Sequence, residues 1–210
     1  MPESLSQKSC AAFSEALASR SPVPGGGGAA ALIASLAAAL GSMATRLTAG
    51  KKKFAAFEDD HLRIITACDH LREAFLSLIE EDAAAFEPLS RAYSMDKSSP
   101  DYTETLRAAT LQAASAPLRM MENCCKLIGL LEELPEKCSR LLLSDVGCAA
   151  LSAKAALECA SMNVFVNTRL LPGDPDAQAM AQKAESMLQD SAPRAQAVAD
   201  LVMAHLRSAK

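Results

Sequence analysis

The stretch SPVPGGGGAAALIASLAAALGSMATRLTAGKKKF, residues 21–54, decides the fold class. It opens with two prolines and four glycines, a run that the interior of a helix does not cross. Beyond it, alanine and leucine continue with no alternation of period two. Leu32, Leu36, Leu40, Met43 and Leu47 recur at spacings of three and four, the signature of one helix face. The spacing predicts a helix from about Ala29 to Gly50 whose large apolar residues form a stripe. Its many alanines allow neighbouring backbones to approach closely. Ser35, Gly41 and Ser42 interrupt the run, and Arg46 arrives before about 18 strongly apolar residues accumulate. The segment therefore reads as a core helix, not a membrane span.

The same period holds outward in both directions. Apolar residues recur at three and four throughout, and alanine, leucine and glutamate outnumber the β-branched residues, so the chain is predicted to be all helical. A first helix is expected from Pro2 to Leu17, and a third from Phe57 to Tyr93 with a bend at Pro88. The fourth is expected from Asp101 to Leu131, bent near Pro117. Pro135 is read as the next break, with a fifth helix running to Leu171. Pro172-Gly173-Asp174-Pro175 closes it and starts the sixth, because an aspartate cap followed by proline at the first helical position is a start signal. The last helix is expected to end near Arg207. Long helices joined by short loops predict an all-α, up-and-down bundle of antiparallel helices, with residues 1–210 forming a single domain.

Composition narrows the function classes. The 210 residues are 50% hydrophobic and carry a net charge of −4, with an isoelectric point near 5.4. A sequence-independent nucleic-acid binder needs a basic face, so no nucleic-acid partner is expected, and no membrane partner either. Seven cysteines are spread through the helical segments. They form no CxxC pair and no Cys/His zinc spacing, so reduced, buried thiols and no metal are expected. The opening MPESLSQKSC has neither the basic nor the apolar region of a secretory leader, and the expected location is cytoplasmic.

Two acidic residues break the apolar pattern. In the third helix the stripe Leu71, Phe75, Leu78 continues through Asp82 to Phe86 and Leu89. A carboxylate in a core-facing position has its pKa raised by desolvation, which suits a proton donor or shuttle near neutral pH. A hydrogen-bonded structural aspartate is the other reading. In the fifth helix Asp145 is in line with Leu141, Cys148, Ser152, Ala155, Cys159, Met162 and Val166, either as a second site carboxylate or as a residue that begins the helix. Asn163 and Asn167 lie four apart and share one face. They can orient a polar heterocycle or bond helix to helix.

The glycines Gly25, Gly26, Gly27 and Gly28 precede a helix and can cradle an anion or let a flat ligand approach, or simply make a turn. No Walker signature or GxGxxG follows. Lys51, Lys52 and Lys53 join Arg46 in a cationic patch at the end of the second helix, which suits carboxylates of a small ligand or a solvated helix end. His61, His70 and His205 fit no metal spacing, and no GxSxG elbow is present.

Together, residues 21–54, the later EEDAAAF, SDVGCAA and MNVFVNTRLL resemble the formiminotransferase-cyclodeaminase C-terminal domain family, which includes stand-alone methenyltetrahydrofolate cyclohydrolases. The resemblance covers nearly the whole chain. It implies an all-helical homodimer with a folate site in one cleft lined by the glycine turn, the basic helix end and the inward polar residues. Gly25, Gly26 and Gly27 match the family's Pro-Gly-Gly-Gly turn, and Gly28 stands where many members have serine. Asp82 matches the aspartate of its Asp-Ala-x-Ala-Phe segment, Asp145 its Ser-Asp pair, and Asn163 and Asn167 its Asn-Val-x-x-Asn segment. Thr168 replaces a frequent aliphatic residue.

The resemblance further implies hydrolysis of 5,10-methenyltetrahydrofolate to 10-formyltetrahydrofolate. Asp82 would be the proton-handling group, and Asp145 would stabilise the cation or orient the pterin. The asparagines would bind ring edges and Lys51–Lys53 the glutamate tail, with no cofactor beyond the folate substrate. The alternatives are formiminotetrahydrofolate cyclodeaminase, releasing ammonia, and a non-catalytic helical dimer that binds folate or another protein. A formiminotransferase, if one takes part, is expected on a separate chain.

Overall fold

The structure is a computed structural model and describes residues 4–208. Six α-helices form it: α1 (Cys10–Leu17), α2 (Gly26–Arg46), α3 (Glu58–Tyr93), α4 (Tyr102–Lys137), α5 (Leu143–Thr168) and α6 (Pro175–Arg207). Short 3-10 turns, Leu5–Gln7, Lys52–Phe57 and Arg140–Leu142, join or precede them. No strand occurs among the described residues, and the all-α bundle is as expected. α2 packs on α3 and α5, α4 on α3 and α5, and α6 on α4 and α5.

Several boundaries differ from the sequence reading, each for a local reason. α1 starts at Cys10, because the Ser9 side chain accepts the Ala12 N–H and caps it there; of the earlier expected start, residues 2 and 3 lie outside the described residues. α4 continues through Pro117 and Pro135 to Lys137. At Pro135 the bond to the Leu131 carbonyl is lost, yet only two residues of helix follow it. α5 then begins at Leu143, after the Arg140–Leu142 turn, and ends at Thr168. α6 starts as the sequence indicates, with the Asp174 side chain accepting from the N–H groups of Asp176 and Ala177. Arg107 of α4 bonds Asp174 and Asp176 at 2.6 Å each and fixes that start.

The largest departure concerns which face of α2 is inside. Ala30, Ala31, Ala34, Ala37, Ala38 and Ala44 are buried, whereas Leu36 is 57% and Leu47 53% exposed. The leucine stripe therefore faces outward, and alanine makes the core side. α5 is inverted in the same way. Val146, Ala149, Ala150, Ala153, Ala156, Leu157, Ala160 and Val164 are buried, while the line through Asp145 carries the exposed Leu141, Cys148, Ala155, Met162 and Val166. Small residues on both helices bring the two backbones close at little cost in packing. What remains is a continuous outer face of large apolar side chains across α2 and α5.

Candidate functional site

The first turn of α2 is built from Gly26, Gly27 and Gly28, with Gly25 as its cap. The glycines, read from the sequence as a turn before a helix starting at about Ala29, are themselves the start of that helix. Its first intrahelical bond runs from the Ala29 N–H to the Gly25 carbonyl, so the N–H groups of Gly26, Gly27 and Gly28 have no acceptor within the helix. Such a helix end favours negative charge.

Asp82, in the middle of α3, supplies it. A Cβ placed on Gly27 would lie 2.3 Å from Asp82 Oδ1 and 2.4 Å from Oδ2. No residue other than glycine lets the carboxylate sit there. Two effects compete on the group. Burial pushes the Asp82 pKa up, and the Gly28 N–H, directed at the carboxylate, pulls it down; burial prevails and the value is about 6. Asp82 is thus poised to exchange a proton near neutrality.

Across the helix start stands Asn163, whose Nδ2 would be 3.5 Å from a Cβ on Gly26. Its Nδ2 donates to the Cys159 carbonyl at 2.9 Å, and Asn167 Nδ2 donates to the Asn163 carbonyl at 2.8 Å. A carbonyl oxygen only accepts, so both amides are fixed with nitrogen toward their own helix. The two Oδ1 atoms are left as acceptors for something else.

These groups line one pocket of about 240 Å3, together with Pro22, Val23, Phe86, Ala113 and Val166. One side is polar and acceptor-rich; the other offers apolar surface for a ring face. A bound cation or N–H donor would meet Asp82 and two amide oxygens, while the N–H groups of Gly26 and Gly27 offer donors at the rim. A larger groove of about 600 Å3 between α5 and α6 holds Lys154, but that ammonium is already held by Gln196 at 2.9 Å. Among the described residues no group of three His, Cys, Asp or Glu side chains is placed to hold a metal.

The expected single cleft does not form within one chain. Gly25, Gly26, Gly27, Asp82, Asn163 and Asn167 meet at the pocket. Gly28 is buried just behind, where its Cβ would be 3.3 Å from Pro24 Cβ. Lys51, Lys52 and Lys53 lie beyond the far end of α2, a helix about 30 Å long. Asp145 stands in the first turn of α5, eighteen residues before Asn163 and so about 27 Å along the axis. Asp145 and Lys51 lie toward the same end of the bundle, where the buried Cys138 thiol feels both charges. Arg46 is not part of a free cationic patch, because it pairs with Asp69 at 2.5 Å.

The family model described as formiminotransferase-cyclodeaminase matches residues 9–186. The chain belongs to that family. Among formiminotransferase-cyclodeaminase relatives, the methenyltetrahydrofolate cyclohydrolase of Methylorubrum extorquens is 36% identical over 184 residues, which is 85% of this chain and 88% of that protein. The formimidoyltransferase-cyclodeaminase of Rattus norvegicus is 30% identical over 197 residues, 92% of this chain but 36% of that longer protein. The crystal structure of formiminotetrahydrofolate cyclodeaminase from Thermotoga maritima superposes with a TM-score of 0.83 at 27% identity, covering 94% of this chain and 98% of that one.

Several lining residues of this family member were given no site role from the sequence. Phe86 closes the Asp-Ala-x-Ala-Phe segment one helical turn beyond Asp82, and Val166 lies between the two asparagines, so i+3 and i+4 spacing from the polar residues could have found both. Ala113 and Pro22 carry no such signal. His61 is structural. It is buried with Nε2 donating to the Lys137 carbonyl at 2.7 Å.

Proposed function

We propose that the chain hydrolyses 5,10-methenyltetrahydrofolate to 10-formyltetrahydrofolate. The observation that carries this reading is the Asp82 carboxylate seated on the Gly27 backbone, beside two asparagine oxygens that can only accept. The substrate presents a delocalised amidinium, whose positive charge an acceptor-lined pocket favours over a neutral or anionic ring. Ionised Asp82 takes a proton from water as the water oxygen bonds to the bridging carbon. The bond from that carbon to the ring nitrogen then breaks, and Asp82 returns its proton to that nitrogen. The formyl group stays on the other nitrogen, and one proton is released overall. The balance needs only water. General acid-base help of this kind contributes about 10²–10⁴ in rate. Asn163 and Asn167 hold ring N–H groups, and Phe86 and Val166 cover the ring face.

A second reading is formiminotetrahydrofolate cyclodeamination, favoured by the likeness to the Thermotoga maritima structure along nearly its full length. There the formimino carbon is carried on the ring nitrogen, the second nitrogen outside that ring attacks it and gives up its proton to Asp82, and Asp82 passes the proton to the departing ammonia. Steady-state turnover with each folate decides between them. Cyclohydrolase activity well above cyclodeaminase activity is expected, the reverse ratio favours the second reading, and no turnover of either overturns both. The working unit in this proposal is a homodimer, supported by the uncovered apolar face on α2 and α5.

A further inference from the structure

We infer that the backbone carbonyl of Ala113, released by the mid-helix Pro117, is a specificity-determining acceptor in the pocket and takes the exocyclic amino group of an aminopyrimidinone ring. The inference rests on the folate reading above and names the atom that recognises the far edge of the pteridine.

Proline has no N–H to give to the carbonyl four residues before it, and it is among the most costly residues in a helix interior. The described helices hold four such prolines, Pro88, Pro117, Pro135 and Pro193. Pro88 and Pro135 fall within the last two turns of α3 and α4. Pro193 releases the Gln189 carbonyl, in the groove between α5 and α6. Pro117 is buried near the middle of α4, with fifteen helical residues before it and twenty after. The carbonyl it releases is that of Ala113, the residue of α4 that lines the acceptor pocket.

That oxygen finds no substitute donor on its own helix. In an α-helix the Ala116 N–H serves the Gln112 carbonyl. The nearby hydroxyls are also engaged, Thr110 Oγ1 donating to the Leu106 carbonyl and Ser115 Oγ to the Gln112 carbonyl, each at 2.7 Å. A main-chain carbonyl away from bulk water needs a partner, and the pocket is where a ligand can supply one.

Its direction follows from the packing of α4 on α3. The two helices run antiparallel, with Glu81 paired to Arg119 and Ala92 clustered with Ala109. Phe86 is therefore level with Ala114, and Asp82 with Leu118. A helix carbonyl points toward the C-terminus on nearly the bearing of its own side chain, and a proline ring four residues on crowds it outward. From Ala113 that path leads off the pocket wall between the levels of Phe86 and Asp82, both of which line the pocket.

The spacing suits the ring. Asp82 and Phe86 are four residues apart, about 6 Å along the axis, and packed helices lie about 8–10 Å apart. The Asp82 carboxylate and the Ala113 carbonyl thus face each other across on the order of 8–10 Å. In a methenyl-bridged pteridine the bridging carbon and the exocyclic amino nitrogen are about 8 Å apart by summed bond lengths. With Asp82 at the reacting carbon, the amino group reaches Ala113.

Donor counting agrees. A reduced pteridine carries N–H bonds at N3 and N8 and two more on the amino group. Asn163 Oδ1 and Asn167 Oδ1 accept two of them, and Asp82 is engaged at the reacting end. The Ala113 carbonyl is the remaining acceptor. Unlike an amide side chain, it cannot turn round and donate.

Pro117 acts through Ala113, and restoring its N–H tests the assignment. Pro117→Ala closes the helix bond to Ala113 and removes the acceptor; Pro117→Val does the same while keeping most of the buried volume. The probes are 5-formyltetrahydrofolate and its 2-desamino analogue, with hydrogen in place of the amino group, titrated calorimetrically. Wild type should bind the analogue about tenfold more weakly than the parent. Both variants should melt no lower than wild type, bind the parent about tenfold more weakly and bind the two ligands alike. In turnover the loss should appear in KM with kcat nearly unchanged. Pro88→Ala, which closes the bond to the exposed Ala84, should keep the full preference for the parent.

Equal affinity of wild type for the two ligands overturns the inference without any variant. Variants that weaken both ligands equally assign Pro117 to packing, and variants that keep the tenfold preference place the amino group elsewhere; each result overturns it, and continued turnover then leaves the proposed function standing. Wild type that turns over neither folate, yet shows a preference that both variants lose, sinks the hydrolysis reading and leaves the acceptor assigned. Wild type that binds neither ligand overturns both.

Discussion

The Asp82 carboxylate occupies the volume that a side chain on Gly27 would fill, with Oδ1 only 2.3 Å from the position of that missing Cβ. Gly27→Ala must therefore push the carboxylate off the start of α2. The helix itself does not suffer, because alanine has the higher helix propensity. Turnover is expected to drop at least about 10²-fold with the melting temperature within a few degrees of wild type. Gly26→Ala is the control, since its Cβ meets Asn163 at an ordinary 3.5 Å; it should retain most activity. Equal loss in both variants would remove the special role of the Gly27 contact.

The pH profile follows from the same carboxylate. Asp82 must be ionised to accept a proton from water, and burial holds its pKa at about 6. The kcat/KM profile is expected to fall tenfold per pH unit below about 6 and to level off above it. A bound cation favours the carboxylate, so the corresponding limb of kcat should lie at lower pH than that of kcat/KM. A limb that persists unchanged in Asp82→Asn would assign the titration to another group.

Stability should move in the opposite direction to activity. In the unfolded chain the group titrates near 3.8, and in the folded one near 6. Between those values the native state binds more protons, so stability declines as pH rises through the window and is lowest above it. Asp82→Asn removes that penalty. At pH 7 the variant is expected to be more stable than wild type, by on the order of 1–3 kcal/mol, with no difference below pH 4. Urea unfolding at pH 4 and pH 7 measures this, and a variant less stable than wild type at pH 7 would show that the carboxylate is held ionised for structure.

Asn163 tests the acceptor side of the pocket. Asn163→Asp keeps the shape but places a second carboxylate beside Asp82, and like charge raises a neighbour's pKa. The acid limb of kcat/KM should move upward by about one pH unit. Asn167→Ala, which removes an oxygen from the ring edge, is expected to raise KM about tenfold with a smaller change in kcat. An unmoved limb in Asn163→Asp would place the two residues in separate environments.

How much of this was legible in the sequence depended on whether a signal was local. Helix type, the Asp174 cap and the anomalous Asp82 were all readable, because period and capping act within one or two turns. The glycine run was read as a turn ahead of the helix and not as its first turn, since what makes Gly27 necessary is a carboxylate fifty-five residues away. The faces of α2 and α5 were inverted for a related reason. Period finds a stripe of large residues but does not say that an alanine stripe opposite is the better mate for another alanine helix. Grouping Asp145 and the lysines with Asp82 followed family motifs, which carry no distance along a helix, and the length of α2 and α5 sets these residues far from the pocket.

That inversion yields the last prediction. Leu36 and Met162 are 57% and 67% exposed in the single chain, so replacing them with aspartate should cost the fold little, within about 0.5 kcal/mol for exposed positions. In a dimer joined through this face each would bury a charge among apolar side chains, which is strongly unfavourable unless it is paired. The Leu36→Asp, Met162→Asp double variant is expected to sediment as a monomer with unchanged helical circular dichroism at concentrations where wild type is dimeric. Its turnover is expected to drop with its dimer content, because Val166 belongs both to this face and to the pocket wall. A dimeric double variant would move the interface elsewhere, and a fully active monomer would show that one chain suffices.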